Sequence, residues 1–351
     1  MVCDSHGSDD ELSVAFSRLE DSCALGVTRL PMTRQIGLND WHTYRRIAKL
    51  ARKLDVDVLH GHGAKGGAYA RLAGRTLRRR RGTKVVYTPH GGVLHYSPST
   101  LSGRLYLAAE RKLAPLTDGM IFESLYAANS YGELIGPPPC PARVIYNGLY
   151  RHEFYESLLA DDAADFVFIG ELRKLKGVDV FLEALAAHQT IFPGRAIVVG
   201  SGPDEKYFKR MARKLGLTSR VTFSGPQPAR TAFVRARCVV VPSRAESFPY
   251  IVLEAAAAQM PLIATNVGGI PEIVGTVPMP LIPPGDVAAL AGQLRAFLAD
   301  SKPFLVRAAE LQKYVAQHFT VEEMTREVVD FYISDLGAGI HKLPEFAATA
   351  S

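Results

Sequence analysis

The chain is poor in cysteine, has a single tryptophan, and contains no long uninterrupted apolar run. Its four cysteines, Cys3, Cys23, Cys140 and Cys238, stand far apart with no C-x-x-C pair, so neither a zinc knuckle nor a disulfide framework is expected. They read as reduced thiols, with Cys238 inside a core strand. A run of about 18 uncharged apolar residues, the minimum for a spanning helix, does not occur. Even Ile251 to Thr265 is broken by Glu254 and Gln259. The opening residues, Met1 to Glu11, are polar and acidic and lack the basic start and apolar centre of a secretory leader. The expected location is therefore the cytoplasm.

What is present is a chain of 351 residues, 47% hydrophobic and 22% charged, which is enough for two domains with cores of their own and excludes disorder. Short runs rich in Val and Ile alternate with longer helical patterns, the mark of parallel sheets covered on both faces. The first series predicts strands near Val56–His60, Lys84–Pro89, Gly119–Phe122 and Arg143–Tyr146, with helices near Trp41–Leu54, Gly66–Arg79 and Leu101–Leu113. Gly148 to Asp165 reads as a crossover. The second series predicts strands at Phe166–Gly170, Ala196–Gly200, Val221–Ser224, Cys238–Pro242 and Leu262–Thr265. The expected domains are 1–150 and 151–320, with a closing helix and loose tail over 321–351.

The beginning departs from the pattern. A doubly wound domain opens with a central apolar strand, a glycine-rich turn and a helix, whereas Met1-Val2-Cys3 offers only the stub of a strand. Ser8 and Glu11 then read as a capping box for a helix to about Asp21. The first domain is expected to lack its first strand and helix, so that Met1 is not the start of the active protein or the chain is a truncated product.

Charge totals +6, concentrated in Arg71, Arg75, Arg78, Arg79, Arg80, Arg81 and Lys84. The simpler reading is a solvated helix end. The sharper one is a dock for anionic lipid headgroups through Arg75, Arg78, Arg79, Arg80 and Arg81, each contributing about 1 kcal/mol near the surface. Without aromatic residues interleaved for base stacking, nucleic acid is not an expected partner.

The strongest motif is Pro242-Ser243-Arg244-Ala245-Glu246-Ser247-Phe248-Pro249-Tyr250, with Glu254 following. It begins at a strand's carboxyl end, where ligands sit in such folds. Ser247 as N-cap and Pro249 in the first turn predict a helix whose positive end favours a diphosphate. Glu246 then lies in the loop and Glu254 about two turns into the helix, both able to accept hydrogen bonds from sugar or ribose hydroxyls. A second motif, Gly170-Glu171-Leu172-Arg173-Lys174-Leu175-Lys176-Gly177, places fixed cations where a leaving phosphate would build charge. His90 stands in the glycine-rich loop Thr88-Pro89-His90-Gly91-Gly92. His60 and His62 have no third metal ligand in view. Asp55-Val56-Asp57 has D-x-D spacing but opens a strand, the wrong end for a ligand. Gly200-Ser201-Gly202-Pro203 lacks a full G-x-G-x-x-G, since Glu205 takes the last position.

With seven residues between Glu246 and Glu254, and with Leu59-His60-Gly61-His62-Gly63 and Gly268-Gly269-Ile270-Pro271-Glu272, the chain from Asp55 onward resembles the group-1 retaining glycosyltransferases. The resemblance implies an α/β fold of the GT-B kind: two Rossmann-like domains facing across a cleft, the acceptor in the first and a nucleotide-sugar donor in the second. It assigns Glu246 to the transferred sugar, Glu254 to the ribose, Lys176 to the phosphates and His90 to the reacting sugar. Glu171 stands where the family more often has Arg, so that role passes provisionally to Arg173. The implied donor site is Gly170, Arg173, Lys176, Gly200, Gly202, Glu246, Ser247, Phe248, Pro249, Tyr250 and Glu254. The implied reaction moves a hexose from a UDP- or GDP-sugar to a hydroxyl of a saccharide or lipid-linked acceptor. It proceeds with retention and without a metal or cofactor, in cell-surface polysaccharide or glycolipid synthesis at the inner membrane face. A nucleotide-sugar epimerase of the same architecture and a catalytically silent nucleotide-binding protein are the alternatives.

Overall fold

The structure, a computed structural model, describes residues 1–5, 22–32, 37–92, 94, 96–187 and 194–338. The helix expected over Ser8 to Asp21 and most of the tail lie outside the described residues. Two compact units divide the chain. One comprises Met1–Phe122, Ser130–Arg143 and the chain from Val329, the other Glu123–Asn129 and Val144–Val328. The segment expected as a separate closing piece is thus shared: Val321 to Val328 belongs to the second unit and Val329 onward to the first.

The second unit is built on a five-stranded parallel sheet of β7 (Ala164–Ile169), β8 (Ala196–Val199), β9 (Val221–Gly225), β10 (Ala236–Val241) and β11 (Leu262–Ala264), in the order β11-β10-β7-β8-β9. The central strands are near-continuous apolar runs because helices cover both faces. Val167 and Val239 pack on one side and Phe166, Val198 and Val240 on the other, all essentially inaccessible. Cys238 sits in the second of these cores, and its burial pushes the thiol far above its ordinary range.

The first unit holds a four-stranded sheet, β3 (Val58–His62), β4 (Lys84–Thr88), β5 (Gly119–Phe122) and β6 (Ala142–Val144), in chain order. β3 begins two residues later than the apolar pattern suggests and runs through His62, where the helix Gly63–Arg81 starts directly. Two further short strands, β1 (Val2–Asp4) and β2 (Thr28–Leu30), pair in parallel as a separate sheet. Between β1 and β3 lies an apolar cavity of about 400 Å³ lined by Val2, Ile47, Leu50, Val58 and Leu59 among others. The helix Leu125–Leu134 had no counterpart in the sequence reading, since Gly132 and its small polar residues blur the apolar period. From Val329 the chain packs on β5: a Cβ at Gly119 would lie 2.9 Å from Phe331 and 2.8 Å from Leu336. Arg143 bridges Asp330 and Asp335, each at 2.7 Å.

Part of the basic cluster is not surface at all. Arg71 is wholly buried, its guanidinium forked onto Glu110 at 2.5 and 2.9 Å and stacked 4.0 Å from the Tyr87 ring centre. Arg78 is tied to Asp118 at 2.8 Å and to the Leu116 carbonyl at 3.0 Å. The inward turn of the helix Gly63–Arg81 takes Arg71 out of any lipid-facing patch, and Arg78 is committed to an ion pair. The side chains of Arg79, Arg80 and Arg81 lie outside the described residues, leaving Arg75 as an exposed member. Among the described residues no helix is long and apolar enough to cross a membrane.

Candidate functional site

In the second unit the chain leaves β7 towards β8 and β9 on one side and returns to β10 and β11 on the other. The loops after β7 and β10 therefore part at the switch point, where a crevice opens beyond the strands' carboxyl ends. Lys176 ends the short turn Lys174–Lys176 in the first of these loops, and Glu246 lies in the second. They meet: Nζ of Lys176 donates to both carboxylate oxygens of Glu246, at 2.7 and 2.8 Å. Ser243 donates to Oε1 of the same carboxylate at 2.7 Å.

Backbone contact between the loops holds this pair. Gly177 has φ of +71°, and a Cβ there would lie 1.9 Å from the carbonyl oxygen of Pro242, so a side chain is excluded twice over. The Arg244 amide donates to Leu175 O at 2.8 Å, while its guanidinium forks onto Asp179 at 2.7 and 2.9 Å. The next loop follows the same rule. Gly200, at φ +129°, lets the chain pass so close to Gly170 that a Cβ would be 1.9 Å from its carbonyl oxygen, and Gly202 packs on the backbone of Leu172. Gly170, Gly200 and Gly202 thus form a side-chain-free floor where the loops after β7 and β8 meet. Arg173 stands apart from the pair; its guanidinium is half exposed, 3.5 Å from Glu171.

Four expected site residues, Ser247, Phe248, Pro249 and Glu254, are placed differently from their sequence reading. Ser247 is not the N-cap, because the helix runs Tyr250–Ala257 with Pro249 at the cap position. Its hydroxyl instead makes a short hydrogen bond to Glu123, a buried carboxylate. Phe248 is core, its ring centre 5.3 Å from that of Tyr146, tilted, and 5.5 Å from that of Phe319, edge-on. Glu254 consequently lies little more than one turn into the helix. Burial, and secondarily the charge of Glu153, raise its carboxyl above the ordinary range.

Sequence reasoning missed the residues that brace this loop from behind. Gly269 donates to the Ser247 carbonyl at 2.8 Å, and Ser124 donates to it at 3.2 Å. Glu272 caps the helix Leu125–Leu134, its oxygens accepting from the amides of Leu125 at 2.7 Å and Tyr126 at 2.9 Å. The G-G-I-P-E motif could have signalled a loop clamp, but no spacing links Glu123 to Ser247.

In the first unit β3 and β4 carry three histidines together at their carboxyl ends. His62 Nδ1 is 2.8 Å from His90 Nε2, and the His60 and His62 rings stack 4.1 Å apart. His60 bridges Thr88 at 2.8 Å and the Tyr332 hydroxyl at 2.5 Å. Burial, reinforced by the neighbouring His62 and His90, holds His60 well below the usual histidine range, and burial also lowers His90. His90 has φ of +50°, rare for a residue with a side chain. Among the described residues no set of three or more His, Cys, Asp or Glu is arranged to hold a metal. Asp55 and Asp57 precede β3, at the end of the sheet opposite His62.

Against this geometry the comparisons with known proteins agree with one another. Residues 2–151 match the description "Glycosyltransferase Family 4" and residues 163–300 "Glycosyl transferases group 1". The chain is 30% identical over 302 residues to D-inositol 3-phosphate glycosyltransferase of Rhodococcus erythropolis, covering 78% of this chain and 67% of that one. It is 25% identical to N-acetyl-alpha-D-glucosaminyl L-malate synthase of Bacillus anthracis, covering 82% and 77%. Among solved structures, HepE of Anabaena in complex with UDP-glucose superposes with TM-score 0.78 at 20% identity, covering 95% of this chain and 91% of that one. The two Rossmann-like units, the paired loops at the switch point and these matches together place the chain in the group-1 glycosyltransferases, with the GT-B fold.

Proposed function

We propose that the chain transfers a hexose from a nucleoside diphosphate sugar to an acceptor hydroxyl with retention of configuration, in the synthesis of a cell-surface polysaccharide or glycolipid. The observation that carries the reading is the Lys176–Glu246 pair, a cation and an anion brought from two loops to the switch point of one sheet. In this reading Lys176 and the open amino end of the helix Tyr250–Ala257 face the diphosphate, so the protein supplies positive charge where the leaving oxygen becomes anionic. Glu246 accepts from hydroxyls of the transferred sugar, Glu254 from the ribose, and the glycine floor lets the donor lie against backbone. Arg173, half exposed and 3.5 Å from Glu171, turns towards the phosphates in this reading.

The step is a front-face displacement. The bond between C1 and the diphosphate oxygen breaks, the acceptor oxygen bonds C1 on the same face, and the acceptor proton passes to the departing diphosphate. Glu246 is a poor candidate for a covalent nucleophile, because Lys176 and Ser243 already draw on its oxygens. His90, steadied by His62, faces the reacting sugar in this scheme.

Calorimetric titration with UDP and GDP, followed by turnover with the matching hexose donors, tests the reading. UDP-glucose comes first because HepE was solved with it. Saturable binding of one diphosphate, an α-linked product from an α-linked donor and a rate unaffected by chelator are expected. Hydrolysis or epimerisation of the donor with no acceptor dependence would replace the proposal.

A further inference from the structure

The first unit contains a cavity of about 340 Å³ between the helices Leu38–Lys53, Gly63–Arg81 and Leu101–Leu113. Its walls are Trp41, Tyr44, Ala68, Leu72, Tyr106 and Leu113. Along the helix Gly63–Arg81 the lining runs from Ala64 to Leu72, a length of about 12 Å at the helical rise. One end adjoins the histidine pair, since Ala64 is two residues beyond His62. At the other end Leu72 opens to solvent.

The charged groups on this cavity are already matched to each other. Asp40 accepts from the Lys65 ammonium at 2.8 Å, from the Gly37 amide at 2.8 Å and from the Tyr69 hydroxyl. Glu110 is spent on Arg71. A guest rich in hydroxyls would have to compete with those bonds, whereas an apolar chain displaces none of them.

The rim adds a second, independent observation. The helix Leu101–Leu113 turns Gly103, Leu107 and Glu110 inward and leaves Leu101 75% and Leu105 65% exposed. Leu101, Leu105, Ala108 and Lys112 share one face by helical spacing. Trp41, 60% exposed, stands at the cavity mouth with Arg45 5.8 Å from its ring centre. Arg104 and Lys112 add positive charge beside the leucines. An outward apolar stripe on the same helix that walls an apolar cavity complements an amphiphile at a lipid–water boundary.

We infer that this cavity holds the hydrocarbon chain of a lipid-linked acceptor, an alkyl or prenyl chain whose polar head lies towards His62 and His90. The inference rests on the acceptor side of the proposed reaction, and its test does not depend on turnover.

Trp41 is the chain's only tryptophan, so its emission reports the cavity mouth alone. The full chain is titrated with n-decyl glucoside below its micellar concentration and, separately, with methyl glucoside. A saturable blue shift with the decyl compound is expected, at an affinity at least tenfold above that of the methyl compound. Ala109→Phe, which narrows the groove from its exposed side, and Ala68→Phe, which fills it, should each weaken that binding tenfold or more. Thermal melting of Ala109→Phe should match the unsubstituted chain. No shift, an equal response to methyl glucoside, or undiminished decyl glucoside binding by Ala109→Phe overturns the inference. Loss of UDP binding with the decyl response intact would count against the glycosyltransfer reading alone.

Discussion

Lys176 and Glu246, seventy residues apart in sequence, share two hydrogen bonds of 2.7 and 2.8 Å across the switch point of the second sheet. Glu246 is almost fully buried and Lys176 about a quarter exposed, so the pair is a positioned unit and not a chance surface contact. In the proposed reading each holds the other ready for a donor that needs both a cation and an acceptor.

Lys176→Ala and Glu246→Gln should each lower turnover by about a hundred- to a thousand-fold, the range for removing a preorganised charge at a reacting group. Because they act together, the double variant should lose far less than the product of the two. Arg173→Ala, which removes a half-exposed side chain beside Glu171, should cost less than Lys176→Ala. Single-turnover rates decide this, and fully multiplicative losses would separate the two residues.

Glu254 makes an opposite pair of demands on pH. Its carboxyl is raised by burial and then by Glu153, so the neutral form is favoured in the fold. The stability penalty is absent below the ordinary carboxylate pKa and complete above the raised one. Glu254→Gln should therefore raise the thermal midpoint at pH 8 and have little effect at pH 4. With Glu254 as the proposed ribose acceptor in its ionised form, UDP affinity should fall on acidification through the raised pKa, while the Gln variant should bind weakly at every pH. Calorimetry across pH 5 to 8 reads the binding; an equally steep pH dependence in Glu254→Gln removes the ribose role.

His90 tests chemistry separately from backbone strain. Asn tolerates the left-handed conformation that His90 adopts at φ +50°, so His90→Asn should melt with the unsubstituted chain while losing about a hundredfold or more in turnover. His90→Val should lose stability as well. Melting curves beside kcat check it, and an active His90→Asn would make the residue structural.

Arg71→Met should destabilise the first unit by on the order of 3–5 kcal/mol, because it strands Glu110 without its partner in the core. Arg75→Met, on the exposed side of the same helix, should change stability by no more than about 0.5 kcal/mol. Urea unfolding of each variant provides the comparison. Equal effects would mean that Arg71 is not the buried partner of Glu110.

Two alternating series of Val-rich strands and helices, and the loops that begin where strands end, were legible from local periodicity and glycine placement alone. That is why Leu101–Leu113 and Gly119–Phe122 fall where the pattern sets them, and why the chemistry was traceable to the Glu246 and Lys176 loops. Element ends drifted where cap chemistry misled: Ser247 and Pro249 carry the signature of a helix start, yet the hydroxyl finds Glu123 and the helix waits until Tyr250. Residues joined only by the fold were invisible. Glu272 capping Leu125 and Tyr126, Tyr332 reaching His60, and Arg71 buried on Glu110 lie 147, 146, 272 and 39 residues from their partners. The sequence by itself determined the fold class, the two sheets and the loops bearing the candidate chemistry, because period, turn residues and strand ends are short-range properties. Tertiary structure alone decided which charges meet, which arginine is core and which leucines face outward, because those depend on packing between segments distant in the chain.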